Sequence, residues 1–195
     1  MTAEVTVIDL GGVLFHFDHR RRLTALGDVL GLPAAEVDAL FWGSGFSARC
    51  DAGAYRTAAE VRDRIRAGSG YRGSDTRLDL AWCGAYSPNE PLVARVAQAA
   101  GDGRRFGLLT NNGPLEEAVL PRLHPAAFAP FAWQIFSHRL GARKPEPAAF
   151  RRAGDLIGLA PDRLALLDDS EANVAAARQA GWQATRYRGS DDLAQ

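Results

Sequence analysis

Apolar residues in this chain follow two patterns. Short unbroken apolar runs stop abruptly at turn residues, and longer stretches repeat their apolar positions every three or four residues. Val5–Leu10 reads as a buried strand halted by Gly11-Gly12, and Phe106–Thr110 as another ending in Asn111-Asn112-Gly113. A third strand falls within Trp133–Ser137, a fourth covers Leu164–Leu167 and runs into Asp168-Asp169, and a fifth covers Gln183–Tyr187. Runs that are apolar throughout, rather than alternating, suit strands covered on both faces, as in a parallel sheet. The segments between them have helical character. Glu90–Ala100 carries apolar residues at 92, 93, 96, 97 and 100, and Pro147–Ile157 follows a Pro-rich start. Ser170–Ala180 opens with an acid at the positive end of the helix dipole and closes at Gly181.

Residues 19–86 have a different texture: helical stripes, no convincing strand, and glycine-rich breaks at 43–45 and 68–73. Thr57-Ala58-Ala59-Glu60 is a capping box that opens a helix to Ala67. Strands alternating with helices predict an α/β fold, a three-layer Rossmann-like parallel sheet of about five strands. A small helical cap, residues 19–86, is expected as an insertion after the first strand, with 1–18 and 87–195 forming the core domain.

Bulk composition narrows the function. A chain of 195 residues with 47% hydrophobic and 24% charged content is an ordinary globular sequence. Its 23 acidic and 23 basic residues cancel, which argues against nucleic-acid or membrane-surface binding driven by bulk charge. The cluster Arg20-Arg21-Arg22 reads as a solvated helix start. The first residues have no signal-peptide pattern, and no run approaches the roughly 20 apolar residues that cross a bilayer. Cys50 and Cys83 have neither metal-ligand spacing nor a disulfide framework, which suits a cytoplasmic protein in which both are small buried hydrophobes. A monomer or homodimer acting on a small molecule is expected.

One count changes the picture. Of the 23 basic side chains, 22 are arginine and one is lysine, Lys144, within Gly141-Ala142-Arg143-Lys144-Pro145-Glu146-Pro147. Ammonium is a compact point charge and guanidinium a planar fork, so a lysine kept in an arginine-rich chain marks a place where the difference could matter. In an open parallel sheet ligands gather at the carboxyl ends of strands. Asp9, Thr110-Asn111 and Asp168-Asp169 all stand at such ends, and Lys144 lies in a loop leading to a helix. Carboxylates, a hydroxyl and an ammonium at one sheet edge suit phosphoryl chemistry. A carboxylate can attack phosphorus, but it repels an anionic substrate, so the site needs Mg²⁺ on oxygen ligands together with Lys144. Thr110 and the main-chain N–H groups after it could take phosphate oxygens at a helix start. Taken singly, each segment has a plainer reading. Asp9-Leu10-Gly11-Gly12 is also a strand and turn, Asn112-Gly113 a hairpin signal, and Asp168-Asp169-Ser170 a helix cap.

Together the segments resemble the haloacid-dehalogenase-like (HAD) hydrolase superfamily, in its helical-cap subclass. The resemblance rests on Val7-Ile8-Asp9-Leu10-Gly11-Gly12-Val13-Leu14, Leu108-Leu109-Thr110-Asn111-Asn112, Lys144-Pro145-Glu146-Pro147 and Leu166-Leu167-Asp168-Asp169-Ser170-Glu171-Ala172-Asn173. It spans essentially the whole chain in order. The resemblance implies a Mg²⁺-dependent phosphatase for a small phosphorylated metabolite. Asp9 would be the nucleophile, Thr110, Asn111 and Asn112 would bind phosphate, and Lys144 would stabilise charge and contact the substrate. The metal would be held by Asp9, the Gly11 carbonyl, Asp169 and Asp168.

Many members of the family carry a second Asp two residues after the nucleophile, as general acid and base. Gly11 stands there instead. Proton transfer of that kind is typically worth about 10²–10⁴-fold, so poor leaving groups are expected to suffer. His16, nearby in sequence, is a candidate substitute. Gly11 also keeps open a catalytically weak binding or regulatory protein on the same scaffold. A metal-independent 2-haloacid dehalogenase is the other alternative, and Asp168-Asp169 speaks against it. Trp42, Phe46, Arg49 and Tyr55 are the candidate substrate contacts of the cap.

Overall fold

In the computed structural model, which describes residues 3–194, the strands are Val5–Ile8 (β1), Phe15–Phe17 (β2), Tyr86–Pro88 (β3), Arg105–Thr110 (β4), Phe131–Phe136 (β5), Leu164–Asp168 (β6) and Gln183–Arg186 (β7). Five of them form one sheet in the order β5-β4-β1-β6-β7, with every pairing parallel. The chain leaves β1 for β4 and β5 on one side, then returns to place β6 and β7 on the other. Asp9 therefore follows the strand at which the order reverses, where open α/β sheets form their ligand crevice.

The pleat sorts neighbouring residues onto opposite faces. Ile8, Leu108 and Leu167 join one apolar cluster with Leu92, Leu115 and Val119. Val7, Leu109 and Leu166 join a second with Phe150, Ile157 and Ala177. Helices Glu90–Gly101 (α6) and Pro114–Leu123 (α7) thus cover one face, and Pro147–Ile157 (α10) and Glu171–Gln179 (α11) the other. The three central strands, β1, β4 and β6, bury both sides, which is why their sequences are almost continuously apolar, whereas the edge strand β7 has no buried residue. Short helices Pro125–Phe128 (α8) and Ser137–Leu140 (α9) flank β5.

Five helices lie between β2 and β3: His19–Leu30 (α1), Ala34–Asp38 (α2), Phe46–Asp51 (α3), Ala58–Ser69 (α4) and Asp75–Cys83 (α5), with a π-helical turn at Ala39–Gly43. The Thr57 side chain caps α4 by accepting from Glu60 N, and the helix runs through Gly68 to Ser69, past the expected stop at Ala67. Gly70, in the left-handed conformation, ends it. The insert is bracketed by an antiparallel pair that the sequence reading missed: Phe15 faces Pro88, His16 faces Ser87 and Phe17 faces Tyr86. Three-residue strands are too short to show a period. A second correction concerns Arg22. Arg20 and Arg21 are exposed as expected of a solvated helix start, but Arg22 is 3% exposed. It shares the buried stripe of α1 with Leu26, one turn on.

Candidate active site

The loop after β1 is tightly bonded. Asp9 N donates to Leu167 O at 2.9 Å, Phe15 N to Leu10 O at 2.7 Å, and Gly12 N to Phe15 O at 2.7 Å. Gly12 has a φ of +88°, and a Cβ there would sit 2.3 Å from Asp169 Oδ2. Glycine at this position lets the loop carrying Asp9 close onto the loop carrying Asp169. Gly11 has no such need: its φ is not positive, and a Cβ would rest 3.8 Å from the Tyr86 ring.

Lys144 answers for its own retention. Its Nζ donates to Asp9 Oδ1 at 2.7 Å and to Asp168 Oδ2 at 2.6 Å, and the residue is 4% exposed. Asn111 fixes the lysine main chain, donating from Nδ2 to Lys144 O at 2.7 Å and accepting from Lys144 N at Oδ1, 2.9 Å. Asp168 is fully buried. Its Oδ1 accepts from Ser170 N and Asn173 Nδ2, and its Oδ2 from Lys144 and again from Asn173, at 2.6–3.1 Å. Those four bonds fill the lone-pair sites of a carboxylate. The segment read as a helix cap is that as well: Ser170 Oγ accepts from Asn173 N at the start of α11.

Carboxylate oxygens of Asp9, Asp168 and Asp169 lie within 4.8 Å of one another. Three carboxylates share one ammonium, which leaves negative charge over at a site of hard oxygen donors. That donor set fits a divalent cation of the Mg²⁺ or Ca²⁺ type. Charge crowding also shows in the protonation equilibria. Burial, joined by the Asp168 carboxylate, pushes the Asp9 carboxyl up to about 6 against the pull of Lys144. Burial and Asp168 raise Asp169 too. Lys144 is itself held above its ordinary value, because Asp9 and Asp168 outweigh its desolvation.

Asp9, Gly11, Thr110, Asn111, Asn112 and Asp169 are among the residues lining a cavity of about 420 Å³. Lys144 and Asp168 stand behind that wall rather than on it. The side chains of Asn111 and Asn112, expected to meet substrate, are committed elsewhere. Asn112 Oδ1 accepts from the Thr110 hydroxyl at 2.6 Å, and its Nδ2 donates to the Tyr86 hydroxyl at 2.8 Å.

The rest of the cavity is lined by Gly12, Phe17, Arg22, Trp42, Ser47, Asp51, Tyr86 and Glu116. Of the four cap residues singled out from sequence only Trp42 lies there, and Phe46 is in the apolar core. The Arg22 guanidinium lies 4.6 Å from the centre of the Phe17 ring and 5.1 Å from that of Tyr86. Glu116 Oε1 accepts from Trp82 Nε1 at 2.7 Å and, more weakly, from Arg22 Nη2 at 3.5 Å. Arg22 could have been found from sequence as a cation at a core register; Glu116, an ordinary acid in the first turn of α7, could not. His16 is exposed and off the cavity. Cys50 and Cys83 are free and buried, and burial raises both thiols far from thiolate formation.

Comparison with known proteins gives a consistent picture. A family model described as haloacid dehalogenase-like hydrolase matches residues 4–181. A protein named Phosphatase MT3486 from Mycobacterium tuberculosis (strain CDC 1551 / Oshkosh) is 28% identical over 193 residues, covering 94% of this chain and 87% of its own. Among solved structures, the HAD family enzyme bt-2542 of Bacteroides thetaiotaomicron superposes with a TM-score of 0.82 at 22% identity, covering 100% of both chains. The wild-type form of that enzyme in complex with magnesium and inorganic phosphate gives 0.77 at 22% identity over 95% and 94% of the two chains. L-2-haloacid dehalogenase of Xanthobacter autotrophicus gives 0.63 at 18% identity, over 98% of this chain and 81% of its own. No helix among the described residues is long and apolar enough to cross a membrane.

Proposed function

The chain belongs to the haloacid dehalogenase-like hydrolase family, and within it we propose a Mg²⁺-dependent phosphatase acting on a small phosphorylated metabolite through a phosphoryl group carried on Asp9. The observation that carries this reading is the cluster of Asp9, Asp168 and Asp169 around a single buried ammonium. Such a set repels an anionic substrate unless a cation joins it, which favours a metal-dependent phosphatase over a metal-free dehalogenase. A relative named a phosphatase and a similar fold solved with magnesium and phosphate support the same reading.

Asp9, Asp169 and the Gly11 carbonyl would hold the Mg²⁺. Asp168, whose lone pairs are filled, would join them only by giving up a bond, and otherwise fixes Lys144. When bound, the metal supplies positive charge against the phosphate oxygens. Lys144 holds the Asp9 carboxylate in place and offsets its charge. Asp9 Oδ attacks phosphorus, the bond to the leaving oxygen breaks, and water then releases inorganic phosphate and restores the carboxylate. Thr110 and the N–H groups at the start of α7 would receive phosphate oxygens. Residues 19–86 would act as the lid that excludes water and shapes the leaving-group end.

The test is hydrolysis of p-nitrophenyl phosphate with and without Mg²⁺, by wild type and Asp9→Asn. Metal-dependent turnover that disappears in the variant is expected. A folded wild-type protein with no turnover on this ester would defeat the reading and favour a binding role.

A further inference from the structure

Gly11 leaves the leaving group without a proton donor, and the cavity contains a replacement. Its lining holds four carboxyl groups, on Asp9, Asp51, Glu116 and Asp169. Asp9 and Asp169 belong to the cation cluster. Glu116 is committed to Trp82 and Arg22. Asp51, the last residue of α3, is uncommitted: among the described residues its carboxyl accepts no hydrogen bond, and its one oppositely charged neighbour within 4 Å, Arg143 Nη2, stands off at 3.8 Å.

Its backbone is nevertheless held firmly against the core. Ser137 Oγ donates to Asp51 O at 2.7 Å. Gly53, two residues on, has a φ of +86°, and a Cβ there would fall 2.4 Å from His138 O. Only glycine lets this turn lie so close to α9. The insert therefore delivers a free carboxyl into the cavity at a fixed point of contact with the core.

We propose that Asp51 is the general acid and base of the reaction, taking the role for which residue 11 has no side chain. This rests on the phosphatase reading above. Protonated Asp51 gives its proton to the leaving oxygen as the phosphorus–oxygen bond breaks and the bond to Asp9 forms, and the alcohol departs neutral. The resulting Asp51 carboxylate takes a proton from the attacking water as the Asp9–phosphorus bond breaks. Inorganic phosphate leaves, and Asp51 is protonated again for the next cycle.

The surroundings suit both states. Burial and the facing Glu116 carboxylate push the Asp51 carboxyl up to about 8, while Arg143 from the loop after α9 and Arg22 from α1 restrain the rise and receive the anion. An acid poised near neutrality is what proton transfer in both directions needs.

The experiment compares n-propyl phosphate, a poor leaving group, with p-nitrophenyl phosphate, which leaves without a proton, in wild type, Asp51→Asn and Asp9→Asn. Asp51→Asn should lose about 10²–10⁴-fold in kcat/KM on propyl phosphate and less than about tenfold on p-nitrophenyl phosphate. On the latter it should release a burst of about one equivalent of nitrophenolate before slow turnover, because the second proton transfer also fails. Wild-type kcat/KM on propyl phosphate should fall above about pH 8, with no such limb on p-nitrophenyl phosphate. Equal losses on both esters, or no burst, would overturn the assignment. Should Asp51→Asn not fold, the wild-type profiles decide alone, since identical limbs on both esters would also overturn it. Nitrophenyl phosphate hydrolysis that survives Asp9→Asn defeats the underlying phosphatase reading instead, and the proposal with it.

Discussion

Replacing Lys144 with methionine removes the ammonium and keeps most of the volume. The side chain is 1% exposed, and its two bonds, 2.7 Å to Asp9 and 2.6 Å to Asp168, reach carboxylates that are themselves nearly buried. Deleting one partner of a buried ion pair typically costs about 3–5 kcal/mol, because the other charge stays behind uncompensated. Here two carboxylates stay behind, although Asp168 keeps its bonds from Ser170 and Asn173. The loss should therefore fall within that range rather than double it. For a domain of this size about 3–5 kcal/mol corresponds to a drop in Tm of about 6–20 °C. Urea unfolding at pH 8 in metal-free buffer measures it. Added Mg²⁺ should recover part of the deficit, since a cation that binds only the folded site stabilises it. Lys144→Arg keeps the charge but forces a larger planar fork into a packed site, and should cost about 1–3 kcal/mol with most of the activity. A Lys144→Met deficit below about 1 kcal/mol, or one indifferent to Mg²⁺, would refute the view that this ammonium holds the acidic cluster together.

Asp51→Asn should flatten the pH dependence of stability. The folded carboxyl is raised to about 8 from an ordinary 3.8, so the folded state holds the extra proton and wild-type stability falls as pH climbs between those values. The urea midpoint of the variant should gain on wild type across that window, and parallel profiles would contradict the shift. Glu116→Ala strands the buried Trp82 N–H and the Arg22 guanidinium and should cost about 3 kcal/mol. Glu116→Gln keeps an acceptor for Trp82 and should cost less; equal losses would deny Glu116 this role. Gly53→Ala meets both a positive φ and a carbonyl 2.4 Å away, whereas Gly31→Ala, at φ +70°, meets open space. Thermal unfolding should show the Gly53 variant losing about 1–3 kcal/mol more, and equal losses would mean that the turn does not dock as described.

The strands were legible because each is short and bounded by turn residues, and the central three, β1, β4 and β6, are largely apolar on both faces. Every predicted strand of the sheet is present, within a few residues of its expected ends. The acidic cluster was legible for a related reason. Parallel strands put their carboxyl ends on one edge, so Asp9, Thr110 and Asp168-Asp169 announce a common location once the strands are placed. The family followed from the same segments, and the match over residues 4–181 bears it out. What sequence could not show was how polar side chains divide their bonds. Asn111 and Asn112 look like substrate donors in the chain, yet their amides serve Lys144 and Thr110-Tyr86. The bonds to Tyr86 and Lys144 join segments 26 and 33 residues apart, and no local period encodes them.

The rest of the cavity lining was hidden for a deeper reason. Arg22, Asp51 and Glu116 come from α1, α3 and α7, three elements whose mutual approach is set by packing of the insert on the core. Each residue has an ordinary local explanation: one arginine in a run of three, one acid ending a short helix, one acid in a first helical turn. The bonds that bring them together are also local to no segment. Tyr86, at the end of the insert, accepts from Asn112 beside Thr110, and Glu116, on the core helix that starts just after Asn112, accepts from Trp82 of the insert. Two sets of polar contacts in the cavity wall thus cross the boundary between insert and core. A shift of the insert would disturb the hydrogen bonds around Thr110 along with those of Glu116. On the phosphatase reading proposed above, the position of the helical insert and phosphate binding would be coupled, through Tyr86–Asn112–Thr110 on one side and Trp82–Glu116 on the other.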